Sequence, residues 1–160
     1  MIGWENFFIA EVGASAVLTG LIFVGVSINL TRILSIPGLA NRALLALTLL
    51  LAILVVSSLL LVPGQSLLLV GIDVLLTGLA AWTIVWMLDI SILRSMESRY
   101  RRPYVINMVL SQLAVLLYII AGITVLVSGA GGLYWLVPAI ILSFIKAILD
   151  AWVLLIEINR

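Results

Sequence analysis

The chain has 160 residues, of which 65% are hydrophobic and 9% charged, and its formal net charge is +1. Soluble domains are about half apolar and about a quarter charged, so this composition excludes a water-soluble fold and indicates an integral membrane protein. The sequence lacks Cys and His, which excludes a disulfide framework, a thiolate nucleophile, a Ser-His triad and the usual zinc and haem ligands. We therefore predict no cofactor and no metal site, and the near-neutral charge gives no sign of nucleic-acid binding.

Five segments are apolar over the roughly 20 residues that a membrane-spanning helix needs. Glycine and proline separate most of these segments, and a charged stretch ending at Pro103 separates the third from the fourth. We predict a single all-α transmembrane domain over residues 1–160, a five-helix bundle with spans at 7–31, 41–61, 66–93, 103–128 and 133–158. The second span is mostly Leu, Ile and Val, and we expect it to be the peripheral, lipid-facing helix.

The distribution of cations predicts the orientation in the membrane. If the chain crosses the membrane five times, every Lys and Arg except Lys146 lies on the same side of the membrane: Arg32, Arg42, Arg94, Arg99, Arg101, Arg102 and Arg160. Because positively charged loops stay in the cytoplasm, we predict an outer N-terminus and a cytoplasmic C-terminus. Glu5, Asp89 and Glu97 are expected in or near water, and Glu157 at the inner edge of the last span.

Four ionisable residues remain inside the predicted spans: Glu11, Asp73, Lys146 and Asp150. Lys146 and Asp150 are one helical turn apart and are expected to pair. A charge in the middle of a bilayer costs about 2.5–3.5 kcal/mol even on a lenient scale, so this face must look into protein or water. Helix depth places Glu11 and Asp73 as a candidate acid pair above the Lys–Asp pair, forming a ladder of titratable groups. An alternative role for the Lys–Asp pair is structural, fixing helix register or holding an oligomer together.

Uncharged polar residues form stripes that we predict to line the bundle interior or an ion path: Ser15, Thr19, Asn29, Thr77, Asn107, Ser111, Gln112, Tyr118 and Ser143. The first span also has a face of small residues that we predict to serve helix packing: Gly13, Ala16, Gly20 and Ser27. Small residues allow helix backbones to approach closely in a membrane. Packing and hydrogen bonds between helices account for both features without a further function.

Three stretches carry a resemblance to a known family: residues 7–30 (FFIAEVGASAVLTGLIFVGVSINL), residues 131–158 (GGLYWLVPAIILSFIKAILDAWVLLIEI) and the turn LVPGQ at 61–65. They resemble small uncharacterised bacterial polytopic membrane proteins, some of which are labelled modulators of a membrane-bound protease. The resemblance covers most of the chain and implies a multi-pass protein of the bacterial inner (plasma) membrane. It implies no mechanism and no site residues for this sequence.

Two functions fit these observations. The first is a conduit, an ion channel or small transporter formed by a homo-oligomer, in which Glu11 and Asp73 attract a cation and the Lys146–Asp150 pair gates or relays protons. The alternative is a non-catalytic scaffold or regulator that binds another membrane protein. An intramembrane enzyme is disfavoured because the carboxylates are scattered rather than clustered for a metal. Water-lined positions for Glu11 and Lys146 would favour the conduit, and a closed bundle interior would favour the scaffold.

Overall fold

The fold was described in a computed structural model that covers residues 3–96 and 98–158, without the side chains of residues 98–103. It is 91% helical, and the described residues form no strand. The described residues form six α-helices in chain order: α1 Glu5–Ile28, α2 Leu30–Ser35, α3 Leu39–Leu60, α4 Leu67–Ser95, α5 Ser98–Ser128 and α6 Leu136–Ile158. A 3₁₀ helix at Gly129–Trp135 joins α5 to α6. The all-α prediction is thus confirmed. Glu97 and Arg160 and the side chains of Arg99, Arg101 and Arg102, used for the predicted orientation, lie outside the described parts.

Long apolar helices make up most of the chain. Within the part of the chain that the structure describes, four helical stretches are long and apolar enough to cross a membrane: Glu5–Ile28, Leu39–Leu60, Leu67–Ser95 and Tyr104–Ile158. The last covers 55 residues and contains most of α5, the 3₁₀ helix and α6. Because this last stretch contains two helices, the long helices are α1, α3, α4, α5 and α6, and they match the five predicted segments closely. Their length and apolar composition are those of a membrane protein.

The helix ends follow from local turn chemistry. Gly38 has φ +80° and Gly129 has φ +71°, a left-handed conformation that glycine adopts without steric cost. Gly38 precedes the first residue of α3, and Gly129 ends α5. At the start of α4, the Ser66 hydroxyl accepts a hydrogen bond from the Leu69 amide at 3.3 Å, which satisfies one of the free donors of the first turn.

Four of the helices form a closed bundle in which each packs on the next: α3 on α4, α4 on α5, α5 on α6 and α6 on α3. The α4–α5 crossing is the closest, because Gly122 of α5 lies against the backbone of α4. A Cβ atom added at Gly122 would lie 2.7 Å from the Leu75 Cα atom, and one at Gly78 would lie 3.0 Å from the Ile119 amide nitrogen. Glycine thus sets the distance between these two helices.

The second span, α3, lies in the core of the bundle, and the first span, α1, lies at its periphery. Eleven of the 22 residues of α3 are buried, so the prediction that this span is peripheral was wrong. In α1, only Phe8 and Ser15 of 24 residues are buried, and this helix packs on the outside of α3. The reason is that a membrane protein has apolar surroundings on both sides of a helix, so a purely apolar sequence fits the core as well as the lipid.

The small face of α1 does not pack within the chain. Gly13, Ala16, Gly20 and Ser27 are all exposed, and a Cβ atom added at Gly13 or Gly20 would meet nothing within 4 Å. The predicted packing role of these residues is therefore not fulfilled by any helix in the described part of the chain.

Candidate functional site: a buried charge cluster

The predicted pair of Lys146 and Asp150 forms in the middle of the bundle. Both residues lie on α6, 0% and 1% exposed respectively, and the Lys146 ammonium forms an ion pair with Oδ2 of Asp150. The Asn107 amide of α5 donates a hydrogen bond to Oδ1 of the same carboxylate at 3.4 Å. Both carboxylate oxygens thus have partners, as an ionised group in an apolar interior requires.

Asp89 is a second buried carboxylate, and the prediction that it lies in or near water was wrong. It is 0% exposed. The Tyr104 hydroxyl donates to its Oδ1 at 2.7 Å, and the Ser111 hydroxyl and the Gln112 amide lie 2.7 and 2.9 Å from its Oδ2. Asp89 is covered because Tyr104, Ser111 and Gln112 of α5 pack against it.

Arg42 and Tyr104 form the rim of this region at the end of the bundle that holds the loop cations. Arg42 is half-buried in the first turn of α3. Its guanidinium carbon lies 5.0 Å from the centre of the Tyr104 ring, a distance that allows a cation–π interaction. Tyr104 is only 4% exposed. The rim therefore joins a half-buried cation to the buried Asp89.

The charges of the cluster balance one another. Asp89 and Arg42 both lie close enough to Lys146 to interact with it electrostatically, and Arg42 acts on Asp150 as well. Two carboxylates, Asp89 and Asp150, are thus matched by two cations. Charge balance of this kind matters because an uncompensated charge in an apolar interior is strongly destabilising. We call these four residues, with Tyr104, the charge cluster.

Buried hydroxyl groups continue from the charge cluster toward the opposite end of the bundle. Ser143 lies three residues before Lys146 on α6, about 4.5 Å along the axis, and its hydroxyl is 3.3 Å from that of Tyr118. Both residues are 0% exposed. Glu11, half-buried on α1, lies close enough to Tyr118 to interact with it electrostatically. We call the polar groups from Arg42 to Glu11 the interior file. Within the described residues, no hydrogen bond joins Lys146 to Ser143 or Tyr118 to Glu11.

The predicted acid pair of Glu11 and Asp73 is not formed. Asp73 is half-buried on α4, and the amide of Gln65 in the α3–α4 turn donates a hydrogen bond to it at 3.0 Å. Since α1 packs chiefly on α3, and α4 on α3 and α5, the two acids belong to different parts of the fold. This hydrogen bond ties the α3–α4 turn to α4, and that structural role accounts for the position of Asp73.

The predicted polar lining divides into two groups. Hydrogen bonds between helices involve five of its members: Asn107, Ser111, Gln112, and Tyr118 with Ser143. The side chains of the other members donate to carbonyl oxygens of their own helices: Ser15, Thr19, Asn29 and Thr77. Only the first group contributes to the interior file. The second group is satisfied locally, as Ser and Thr often are in helices.

Comparison of the chain with protein-family models, with curated proteins and with solved structures found no match. The function is therefore argued from the charge cluster and the interior file alone.

Proposed function

We propose that the protein is a small membrane conduit that transfers protons along the interior file. Lys146 lies in a closed bundle interior, the arrangement expected of a scaffold, so the conduit we propose is a relay between buried groups and not an open water path. The observation that supports such a relay is the burial of three ionisable groups, Asp89, Lys146 and Asp150, in the core of a bundle of apolar helices. Ionisable residues inside membrane segments are costly, and they commonly mark proton relays and ion pathways. At one end of the charge cluster lies the half-buried Arg42. Beyond its other end lie the buried hydroxyl groups of Ser143 and Tyr118.

Protons are favoured over larger ions because Lys146 has no exposed surface and Asp150 has almost none. A hydrated cation needs an open path, whereas a proton passes between hydrogen-bonded groups. The proposed path consequently lies within one chain rather than on the axis of a homo-oligomer. Asp73 is not part of it.

Each part of the file has a role in this proposal. The Lys146–Asp150 pair exchanges the proton, and Asp89 accepts or releases it through the Tyr104 hydroxyl at the rim. In this proposal Tyr118 and Ser143 carry the proton between the pair and Glu11, with water completing the two steps that no hydrogen bond joins. Five spans, an outer N-terminus and a cytoplasmic C-terminus would place Arg42 on the cytoplasmic side of a bacterial plasma membrane and Glu11 on the outer side, consistent with the positive loops.

Proton flux into proteoliposomes tests the proposal. With K⁺ and valinomycin present to balance charge, the wild-type protein should dissipate an imposed pH gradient faster than protein-free liposomes. Asp89→Asn should lose this flux, whereas Asp73→Asn, the same change on the same helix but outside the file, should retain it. A wild-type rate equal to that of protein-free liposomes, or equal rates for the two variants, would contradict the proposal.

The second candidate is a non-catalytic scaffold or regulator of another membrane protein. It is favoured by the closure of the bundle, because Lys146, Asp150 and Asp89 all have hydrogen-bond partners within the chain, as in a polar core that specifies one packing arrangement. An absence of proton flux, together with co-purification of one membrane protein from native membranes, would favour this function.

A further inference from the structure

An apolar groove runs between α1 and α6. It exists because α1 packs on α3 and leaves a gap toward α6. Two adjoining cavities of about 190 and 200 Å³ share the residues Leu21, Ile22, Ala151 and Leu155. The groove therefore follows both helices along the outside of the bundle, on a surface that the hydrocarbon of a bilayer would surround.

One end of the groove is polar. Asn29, where α1 gives way to α2, is half-buried and lines the groove together with Ile33. The neighbouring Arg32 is exposed and forms no ion pair within the described ranges. This end of the bundle is the one that holds the loop cations, so it lies at the level of lipid headgroups if the helices cross a membrane.

We propose that this groove binds one anionic phospholipid, with an acyl chain between α1 and α6 and the headgroup at Arg32 and Asn29. A long apolar groove ending in one amide and one cation matches the polarity of such a molecule along its length. Cations near the membrane surface attract anionic lipids, and the free positive charge of Arg32 supplies this attraction. The proposal is independent of proton transfer, since none of its residues belongs to the charge cluster.

Native mass spectrometry of the purified protein tests the site, with phosphatidylglycerol, phosphatidylethanolamine and phosphatidylcholine as competing probes. Gly25 lines the groove, and a Cβ atom added there meets nothing within 4 Å, so Gly25→Leu fills the groove without a clash at its first atom. Gly20→Leu is the matched control, because Gly20 is equally open on the same helix but outside the groove. Arg32→Gln tests the headgroup contact, with the exposed Arg94 changed to Gln as its control.

We expect wild-type protein and Gly20→Leu to retain one phosphatidylglycerol molecule in preference to the other lipids, and Gly25→Leu to lose it. Arg32→Gln should weaken the preference about fivefold, the factor expected for one cation at an anionic lipid surface, while Arg94→Gln leaves it unchanged. Equal retention by both glycine variants would overturn the proposal. So would a wild-type preference for phosphatidylethanolamine, or a dimer that fills the groove with a second copy of the chain.

Discussion

Replacing Lys146 by Met is expected to lower the free energy of unfolding by about 3–5 kcal/mol, because it leaves the buried Asp150 carboxylate without its cation. Asp150→Asn should also destabilise, since the Lys146 ammonium then lies in the bundle core without its ion-pair partner. The double variant Lys146→Met with Asp150→Asn removes both charges, and we expect it to recover most of the lost stability. Reversible unfolding in mixed micelles measures all four proteins.

The informative quantity in this series is the coupling between the two sites. If each charge is costly mainly when unpaired, the double variant will be far more stable than the sum of the two single changes predicts. Additive losses would mean that Lys146 and Asp150 do not depend on each other, and would contradict the pairing on which the charge cluster rests.

Gly122→Ala is expected to destabilise the protein by about 1–3 kcal/mol, the usual cost of inserting a methyl group into a close-packed site. The added Cβ atom would lie 2.7 Å from the Leu75 Cα atom, so α4 and α5 would have to separate. That separation would also disturb the hydrogen bonds from α5 to Asp89. Thermal unfolding in detergent measures the loss.

Gly20→Ala is the matched control for this change, because its Cβ atom would meet nothing within 4 Å. We expect no loss of stability from it, and a gain of up to about 1 kcal/mol from the higher helix propensity of Ala. Similar effects of the two substitutions would show that the close approach of α4 and α5 does not determine the stability of the bundle.

The helices were predictable from sequence, and so was the Lys146–Asp150 pair. Apolar runs interrupted by Gly and Pro mark where each helix begins and ends, and a spacing of four residues on one helix is a local property. The position of each helix in the bundle was not predictable in this way. The apolar α3 became central and α1 peripheral, because hydrophobicity does not separate core from lipid.

Asp89 shows a second limit of the sequence. Its place near the end of a predicted span suggested contact with water, yet side chains of α5 cover it. The signal that could have revealed its burial lies on α5, where Tyr104, Ser111 and Gln112 share one side of the helix at spacings of seven and eight residues. Three donors on one face indicate a buried acceptor on a neighbouring helix, but only the structure identifies that acceptor.

Proton flux in the double variant Lys146→Met with Asp150→Asn is the most direct test of the proposed conduit. This variant keeps the bundle neutral and is expected to fold, so a loss of flux cannot be assigned to unfolding. We predict a stable, monodisperse protein whose proton flux in proteoliposomes does not exceed that of protein-free liposomes. A double variant that dissipates the pH gradient as fast as the wild-type protein would contradict the account.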